Sequence, residues 1–165
     1  MAFSSLAEID SYMKENTCEF WEAVIREEAR DSQQPEMDIV NRMTQMYRAM
    51  KEADEAYDDT LTSHSGLSGK NGKKMADYAA THKCMCGEFG GAVMARAIKM
   101  AESNACMKRI VAAPTAGSCG VIPAVLISYE EVVAESEESG DDPAEDRMVQ
   151  ALFTAAGIGK VIAEN

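Results

Sequence analysis

Apolar residues recur at helical spacing along most of the chain, and this periodicity limits the possible folds more than any other feature. The longest stripe has spacings of three and four residues and contains Ile39, Met43, Met46, Met50, Ala53 and Tyr57. Residues 5–14 carry a shorter stripe of the same kind. Thr17 is a candidate N-cap for a second helix that carries Trp21, Val24 and Ile25. A methionine stripe of this kind is typical of a packed core, and we give it no functional weight.

The second half of the chain continues the helical pattern. One helix is expected near residues 73–81 and another over residues 87–103, where charge is confined to a narrow strip. The uncharged run from Val121 to Tyr129 fits either a helix with Pro123 in its first turn or a buried strand, although partner strands are not evident. The last helix should begin near Pro143, after an acidic stretch that we expect to be a solvated loop. The sequence therefore predicts an all-α domain.

Composition and charge limit the binding partners and the cellular compartment that such a domain can have. Hydrophobic residues make up 46% and aromatic residues 6%, a balance that favours packed helices. The net charge of −12 argues against binding to nucleic acid or to an anionic membrane. Neither a signal peptide nor a membrane span is evident. The five cysteines are an odd number, which indicates reduced thiols in a cytoplasmic protein.

Two segments interrupt the helical pattern and combine glycine with hydroxyl side chains. They are residues 60–74 and residues 112–120, and each leads into a helix. A helix N-terminus favours a carboxylate or a phosphate, and glycine allows the backbone to approach a ligand closely. Connectors of this composition are usually plain loops, however. The residues alone leave both interpretations open.

The sequences of the two segments resemble the signatures of one known family. The second reads APTAGSCGVIPAVL and is similar to the A-P-T-A/N-G-x-x-G-x-x-P signature of the bacterial serine dehydratase α chain. The first reads TSHSGLSG from Thr62 to Gly69 and resembles the T-S-x-S/T-G-L-S/T-G-G signature of the same family. The order and separation of the two motifs also match. A weaker resemblance extends from Phe3 to the end of the chain.

The resemblance implies an enzyme that converts L-serine to pyruvate and ammonia with a 4Fe–4S cluster. An exposed iron would act as a Lewis acid on the serine hydroxyl, and a base would remove the α-proton. A β chain or β domain is the implied partner. The implied candidates for binding the substrate carboxylate are Ser63, Ser65, Gly66, Ser68 and Gly69 in the first loop and Thr115, Ala116, Gly117 and Ser118 in the second.

Each candidate also has a purely structural interpretation. Ser63 and Ser65 could hold their own turn, and Thr115 and Ser118 could be helix caps. His64 has a pKa range suited to a general base, but it occupies a variable position of the motif. We treat His64 as a possible participant in catalysis.

Several positions depart from the family pattern. Lys70 stands where the first motif usually closes with glycine, and Lys108 stands where glycine is common. The family's cluster cysteines lie in G-C-Q, C-D-P and P-C motifs, which are absent here. Cys119 does not match them. Cys84 and Cys86, with His82 nearby, lack the four ligands of a structural zinc site, so no metal site is predicted.

Residues 1–165 are therefore expected to be the N-terminal part of an α chain that stops before the cluster cysteines. We expect the fragment to bind no cluster, to be inactive alone and to self-associate through an exposed apolar patch. One alternative is a helical module that binds a small carboxylate metabolite without catalysis. Another is a helical interaction protein.

Overall fold

The computed structural model of the chain describes residues 3–112, 119–136 and 143–164. In these residues there are helices and no strands, which confirms the all-α prediction. The helices are α1 (Leu6–Asn16), α2 (Phe20–Ser32), α3 (Glu36–Glu55), α4 (Asn71–Ala79), α5 (Gly87–Ala105), α6 (Val121–Ser136) and α7 (Ala144–Glu164). None of the helices in the described ranges is long and apolar enough to cross a membrane.

The boundary between α1 and α2 differs from the expectation. Thr17 does not cap α2. It ends α1 in the left-handed region (φ 47°), and its N–H donates to the Met13 carbonyl. The N-cap of α2 is Glu19, which forms a capping box with Glu22: the Glu19 carboxylate accepts from the Glu22 N–H, and the Glu22 carboxylate accepts from the Glu19 N–H at 2.9 Å. Thr17 cannot serve both helices because its backbone already closes α1.

The methionine stripe of α3 is only partly buried. Met50 and Ala53 are buried, whereas Met46 is 40% exposed and Tyr57 follows the end of the helix. Tyr47 lies outside the predicted stripe but is fully buried, and its hydroxyl donates to Glu130 at 3.0 Å. This hydrogen bond satisfies the polar end of the ring and allows tyrosine to occupy a core position.

The run after residue 120 forms a helix, α6, and not a strand. Pro123 is buried in the first turn, as the helical interpretation requires. The acidic stretch after the uncharged run was expected to be a loop, which was wrong for its first residues, 130–136, because they continue α6. Glu130 is held there by Tyr47 and by Lys51 Nζ at 2.9 Å. Residues 137–142 lie outside the described residues.

The chain divides into two compact units. The first contains residues 1–45 and 141–165 and includes the α1–α2 and α2–α7 contacts. Part of its core consists of Phe3, Ile9, Ala23 and Val161. The second contains residues 46–140, where α5 packs against both α4 and α6. The first signature loop and the segments that flank the second belong to this second unit.

Candidate functional site

The first signature loop closes on itself through short hydrogen bonds. The Ser63 N–H donates to the Ser68 carbonyl at 2.8 Å, and the Gly66 N–H donates to the Ser63 carbonyl at 2.8 Å. The Ser63 hydroxyl accepts from the Ser68 N–H at 3.1 Å and lies 3.1 Å from the Ser65 hydroxyl. Four of the predicted site residues are thus brought together within one turn. Ser63 thus also stabilises its own turn, which was the structural alternative to a role in ligand binding.

Backbone geometry explains the glycines of this loop. Gly66 has φ +73° in open space, and Gly69 has φ +147°. A Cβ at Gly69 would lie 2.6 Å from the Leu61 carbonyl oxygen, so no side chain fits there. Lys70 has φ 68°, which also lies in the left-handed region that favours glycine. The family's usual glycine at this position therefore has a conformational reason, and lysine adopts the same backbone at some cost.

The loop leads into α4, whose first N–H groups are satisfied by side chains of this chain. The Glu102 carboxylate accepts from the Asn71 N–H at 2.7 Å and from the Gly72 N–H at 3.0 Å. Tyr57 donates its hydroxyl to Glu102 at 2.7 Å and accepts from the Lys73 N–H at 3.2 Å. The anion-binding position at the start of α4 is thus filled by Glu102. The sequence pattern did not predict this arrangement, although Glu102 belongs to the polar strip of α5.

These contacts shift the pKa values of both side chains. Glu102 is only 4% exposed, and its desolvation opposes ionisation. The hydrogen bonds from Gly72, Tyr57 and Asn71 outweigh this desolvation, so the pKa of Glu102 lies below its usual value. Burial, together with the hydrogen bond to Glu102, raises the pKa of Tyr57 to about 12. Glu102 is therefore a buried carboxylate, and Tyr57 keeps its proton at neutral pH.

The exposed part of the loop is its tip. His64, Ser65 and Gly66 are exposed, and Leu67 is 89% exposed. A cavity of about 500 Å³ lies at the first turn of α4, and none of the predicted serines lines it. Its charged lining residues are of both signs: Glu55, Asp58, Asp59, Lys73, Lys99 and Lys108. The polar groups that the tip offers to a ligand are thus the Ser65 hydroxyl, the His64 imidazole and the backbone, beside the exposed Leu67 side chain.

The second signature loop lies mostly outside the described residues, which include none of Thr115, Ala116, Gly117 and Ser118. Its C-terminal end is described. Cys119 is 2% exposed, and burial raises the pKa of its thiol. A Cβ at Gly120 would lie 2.7 Å from the Ala97 carbonyl oxygen, so the start of α6 packs tightly on α5.

The cysteines of the described segments do not fit a 4Fe–4S cluster. Within residues 3–112, 119–136 and 143–164, no group of three or more His, Cys, Asp or Glu side chains is arranged so that it could hold a metal ion. His82 pairs with Glu88 at 2.6 Å. The Sγ atoms of Cys84 and Cys86 lie 3.0 Å apart and form a separate pair. A cluster normally takes four cysteine ligands, and this part of the chain does not assemble them.

Comparison with known proteins identifies the class to which this helical chain belongs. The family model for the serine dehydratase alpha chain matches residues 15–165. The chain therefore belongs to the serine dehydratase alpha-chain family.

Three curated relatives illustrate the similarity. The chain is 29% identical over 163 residues to a probable L-serine dehydratase alpha chain of Bacillus subtilis, covering 99% of this chain and 52% of that protein. It is 31% identical over 157 residues to the L-serine dehydratase alpha chain of Peptoniphilus asaccharolyticus, covering 94% and 51%. It is 39% identical over 61 residues to the L-serine dehydratase TdcG of Escherichia coli, covering 37% and 12%. The chain thus spans about half the length of its alpha-chain relatives. No solved structure matches it.

Proposed function

We propose that the chain is the N-terminal part of the α chain of an L-serine ammonia-lyase and supplies part of its substrate pocket. The observation that carries this proposal is the first signature loop, which in a member of this family folds into a compact turn and exposes Ser65 and Gly66. The complete enzyme would convert L-serine to pyruvate and ammonia by β-elimination. The two alpha-chain relatives carry L-serine dehydratase in their names.

In this proposal the chain's own residues bind and orient the substrate carboxylate. The first turn of α4 is not available for this role, because its N–H groups already bond to Glu102 and Tyr57. The carboxylate would instead meet the hydroxyl and backbone groups around Ser65, with Lys70 adding a nearby positive charge. Residues 115–118 of the second loop would complete the cradle. His64, exposed at the tip, is a candidate for the general base.

The other parts of the proposal concern groups that this chain does not supply alone. A 4Fe–4S cluster in the complete enzyme would provide a Lewis acid for the serine hydroxyl. We propose that its cysteines belong to a part of the family chain outside these 165 residues. A β chain or domain would be the protein partner, and the cytoplasm would be the compartment.

An iron and sulfide assay tests the predicted inactivity of the fragment. The chain is reconstituted anaerobically with iron and sulfide, and both elements are measured after desalting together with pyruvate formation from L-serine. We expect neither a stoichiometric cluster nor dehydratase activity. Four iron atoms per chain, or turnover, would contradict the proposal.

Substitution of the loops in the complete enzyme tests their role in binding. Ser65→Ala and Thr115→Ala should each raise KM for L-serine by about 10-fold, the effect of losing one hydrogen bond of about 1.4 kcal/mol. Ser11→Ala is the matched control, because the Ser11 hydroxyl bonds only to the Ala7 carbonyl on α1. Unchanged KM in both loop variants would remove the loops from the site. Serine binding without turnover in the complete protein would support a non-catalytic binding module.

A further inference from the structure

Three sulfur atoms lie together at the start of α5, outside the loops of the proposed serine site. Cys84 Sγ lies 3.0 Å from Cys86 Sγ, and Cys86 Sγ lies 3.6 Å from Met94 Sδ. Cys86 is the N-cap of α5, and Met94 follows two turns later. Cys86 and Met94 are exposed, and Cys84 is half-buried. We call these three residues the three-sulfur site.

One glycine of α5 provides the space for the Cys86 thiol. A Cβ at Gly90 would lie 2.9 Å from both Cβ and Sγ of Cys86. A Cβ at Gly91 would lie closest to Ala79 Cβ, at 3.1 Å, and would meet Cys84 at an ordinary contact distance of 3.4 Å. Glycine in a helix interior costs about 1 kcal/mol relative to alanine, and the close approach of the Cys86 side chain gives Gly90 a structural reason. The missing Cβ at Gly90 therefore leaves room for the Cys86 side chain against the helix.

We propose that the three-sulfur site binds a soft monovalent cation, Cu(I), through the Cys84 and Cys86 thiolates with the Met94 thioether as a third donor. Soft thiolate and thioether ligands select Cu(I), whereas structural zinc normally takes four ligands. In the described part of the chain His82 does not join the two thiols in a group that could hold a metal ion, and its Nδ1 pairs with Glu88 at 2.6 Å. Two thiolates and a thioether thus form a donor set that suits Cu(I) better than zinc.

The charge balance of binding also fits this position. One Cu(I) replaces the two thiol protons, which pass to solvent, and no oxidation state changes. Two thiolates and one monovalent cation leave a net charge of minus one. This charge lies at the N-terminus of the 19-residue helix α5, where the helix dipole favours an anion. Because binding releases the two thiol protons, affinity should increase with pH.

A competition experiment with the reduced 165-residue chain tests the proposal. Under anaerobic conditions, Cu(I) is titrated against the chromophoric chelator bathocuproine disulfonate. We expect the chain to retain one equivalent of Cu(I). Cys84→Ser and Cys86→Ser should each weaken retention by more than the roughly 10- to 100-fold that loss of an outer-shell contact costs, and Met94→Leu should weaken it by about 10-fold. Cys106→Ser and Met107→Leu are matched controls at the other end of α5 and should retain Cu(I) as the parent chain does.

A second variant separates loss of the site from loss of the fold. Gly90→Ala should preserve or raise helicity measured by circular dichroism, because alanine favours a helix, and should weaken Cu(I) retention because its Cβ displaces the Cys86 thiol. The proposal is overturned if both serine variants retain Cu(I) normally or if Zn(II) is held as tightly. It is also overturned if the reduced parent chain loses all Cu(I) to the chelator. Unchanged retention in Met94→Leu would remove the thioether from the site.

Discussion

Replacement of Glu102 by glutamine should destabilise the start of α4, because this carboxylate satisfies two N–H groups and a hydroxyl at once. Its partners are Asn71, Gly72 and Tyr57, at 2.7, 3.0 and 2.7 Å. Hydrogen bonds to a charged group contribute about 1.5–3 kcal/mol, and a partly buried charge at a helix terminus adds up to about 2 kcal/mol. Glutamine keeps one acceptor oxygen but directs an NH₂ group towards donors. We expect a loss of about 2–3 kcal/mol.

Hydrogen exchange of the α4 amides is the direct assay, since the chain has two compact units and a global midpoint would combine them. A loss of 2–3 kcal/mol corresponds to roughly 30- to 150-fold faster exchange if α4 opens locally. Glu55→Gln is the control, because Glu55 is exposed and should shift stability by less than about 0.5 kcal/mol. Tyr57→Phe removes one of the three donors and should give an intermediate effect of about 1 kcal/mol.

The effect of Glu102 should also depend on pH with a defined sign. The folded-state pKa of Glu102 is below its usual value of 4.5. Its contribution to stability is therefore complete above pH 4.5 and is lost as the pH falls through the folded-state pKa. The difference between the parent chain and Glu102→Gln should shrink in acid. A difference that stays constant from pH 7 to well below 4.5, or unchanged exchange at pH 7, would refute this account of α4.

Three further predictions concern single positions. Lys70→Gly should stabilise the start of α4 by about 1 kcal/mol, measured as slower hydrogen exchange of the α4 amides, because φ 68° costs lysine more than glycine. Faster exchange would contradict the reason given for the family glycine. Gly157→Ala should lower the free energy of unfolding by about 1–3 kcal/mol, because its Cβ would lie 2.5 Å from Val24 Cγ2. Gly159→Ala is the control: its Cβ would have no neighbour within 4 Å, and the free energy of unfolding should rise by up to about 1 kcal/mol. Equal effects of the two substitutions would argue against the α2–α7 packing. Spectrophotometric titration should include a phenol that ionises only near pH 12, and Tyr57→Phe should remove it. An unchanged titration curve in that variant would contradict the pKa assigned to Tyr57.

Much of the fold could be predicted from the sequence because helical periodicity is a local property. The order of the helices followed from apolar spacing and from the two glycine-rich interruptions. Boundaries were less accurate where they depend on side-chain geometry. Thr17 and Glu19 lie two residues apart, and only their hydrogen bonds show which one caps α2. The uncharged run of α6 was ambiguous because its hydrophobicity carries no clear period. Its contact with α5, where Gly120 lies against Ala97, depends on tertiary packing.

In the candidate site, too, contacts between residues close in the sequence were easier to predict than contacts between distant residues. The motif around Ser63 and Gly66 closes through bonds between residues at most five positions apart. Its composition predicted an interruption of the helical pattern, and the turn itself depends on these local bonds. Glu102 reaches Asn71 from 31 positions away, and local periodicity contains no signal for such a contact. Its place on the polar strip of α5 indicated only that it faces a polar environment. Identifying its role requires knowing which helix N-terminus packs beside it.

Glu102 changes the physical argument for how this family chain would bind a carboxylate. The sequence pattern indicated free N–H groups at the helix that follows each loop, yet at α4 those groups are bound by Glu102 and Tyr57. A second carboxylate at the same turn would meet a buried negative charge and would be repelled. The helix start therefore fixes the end of the loop, and in the proposed site the exposed tip would contact the ligand. Substrate selectivity would then depend on the hydroxyls near Ser65 and on the second loop, whose helix α6 begins immediately after Gly120.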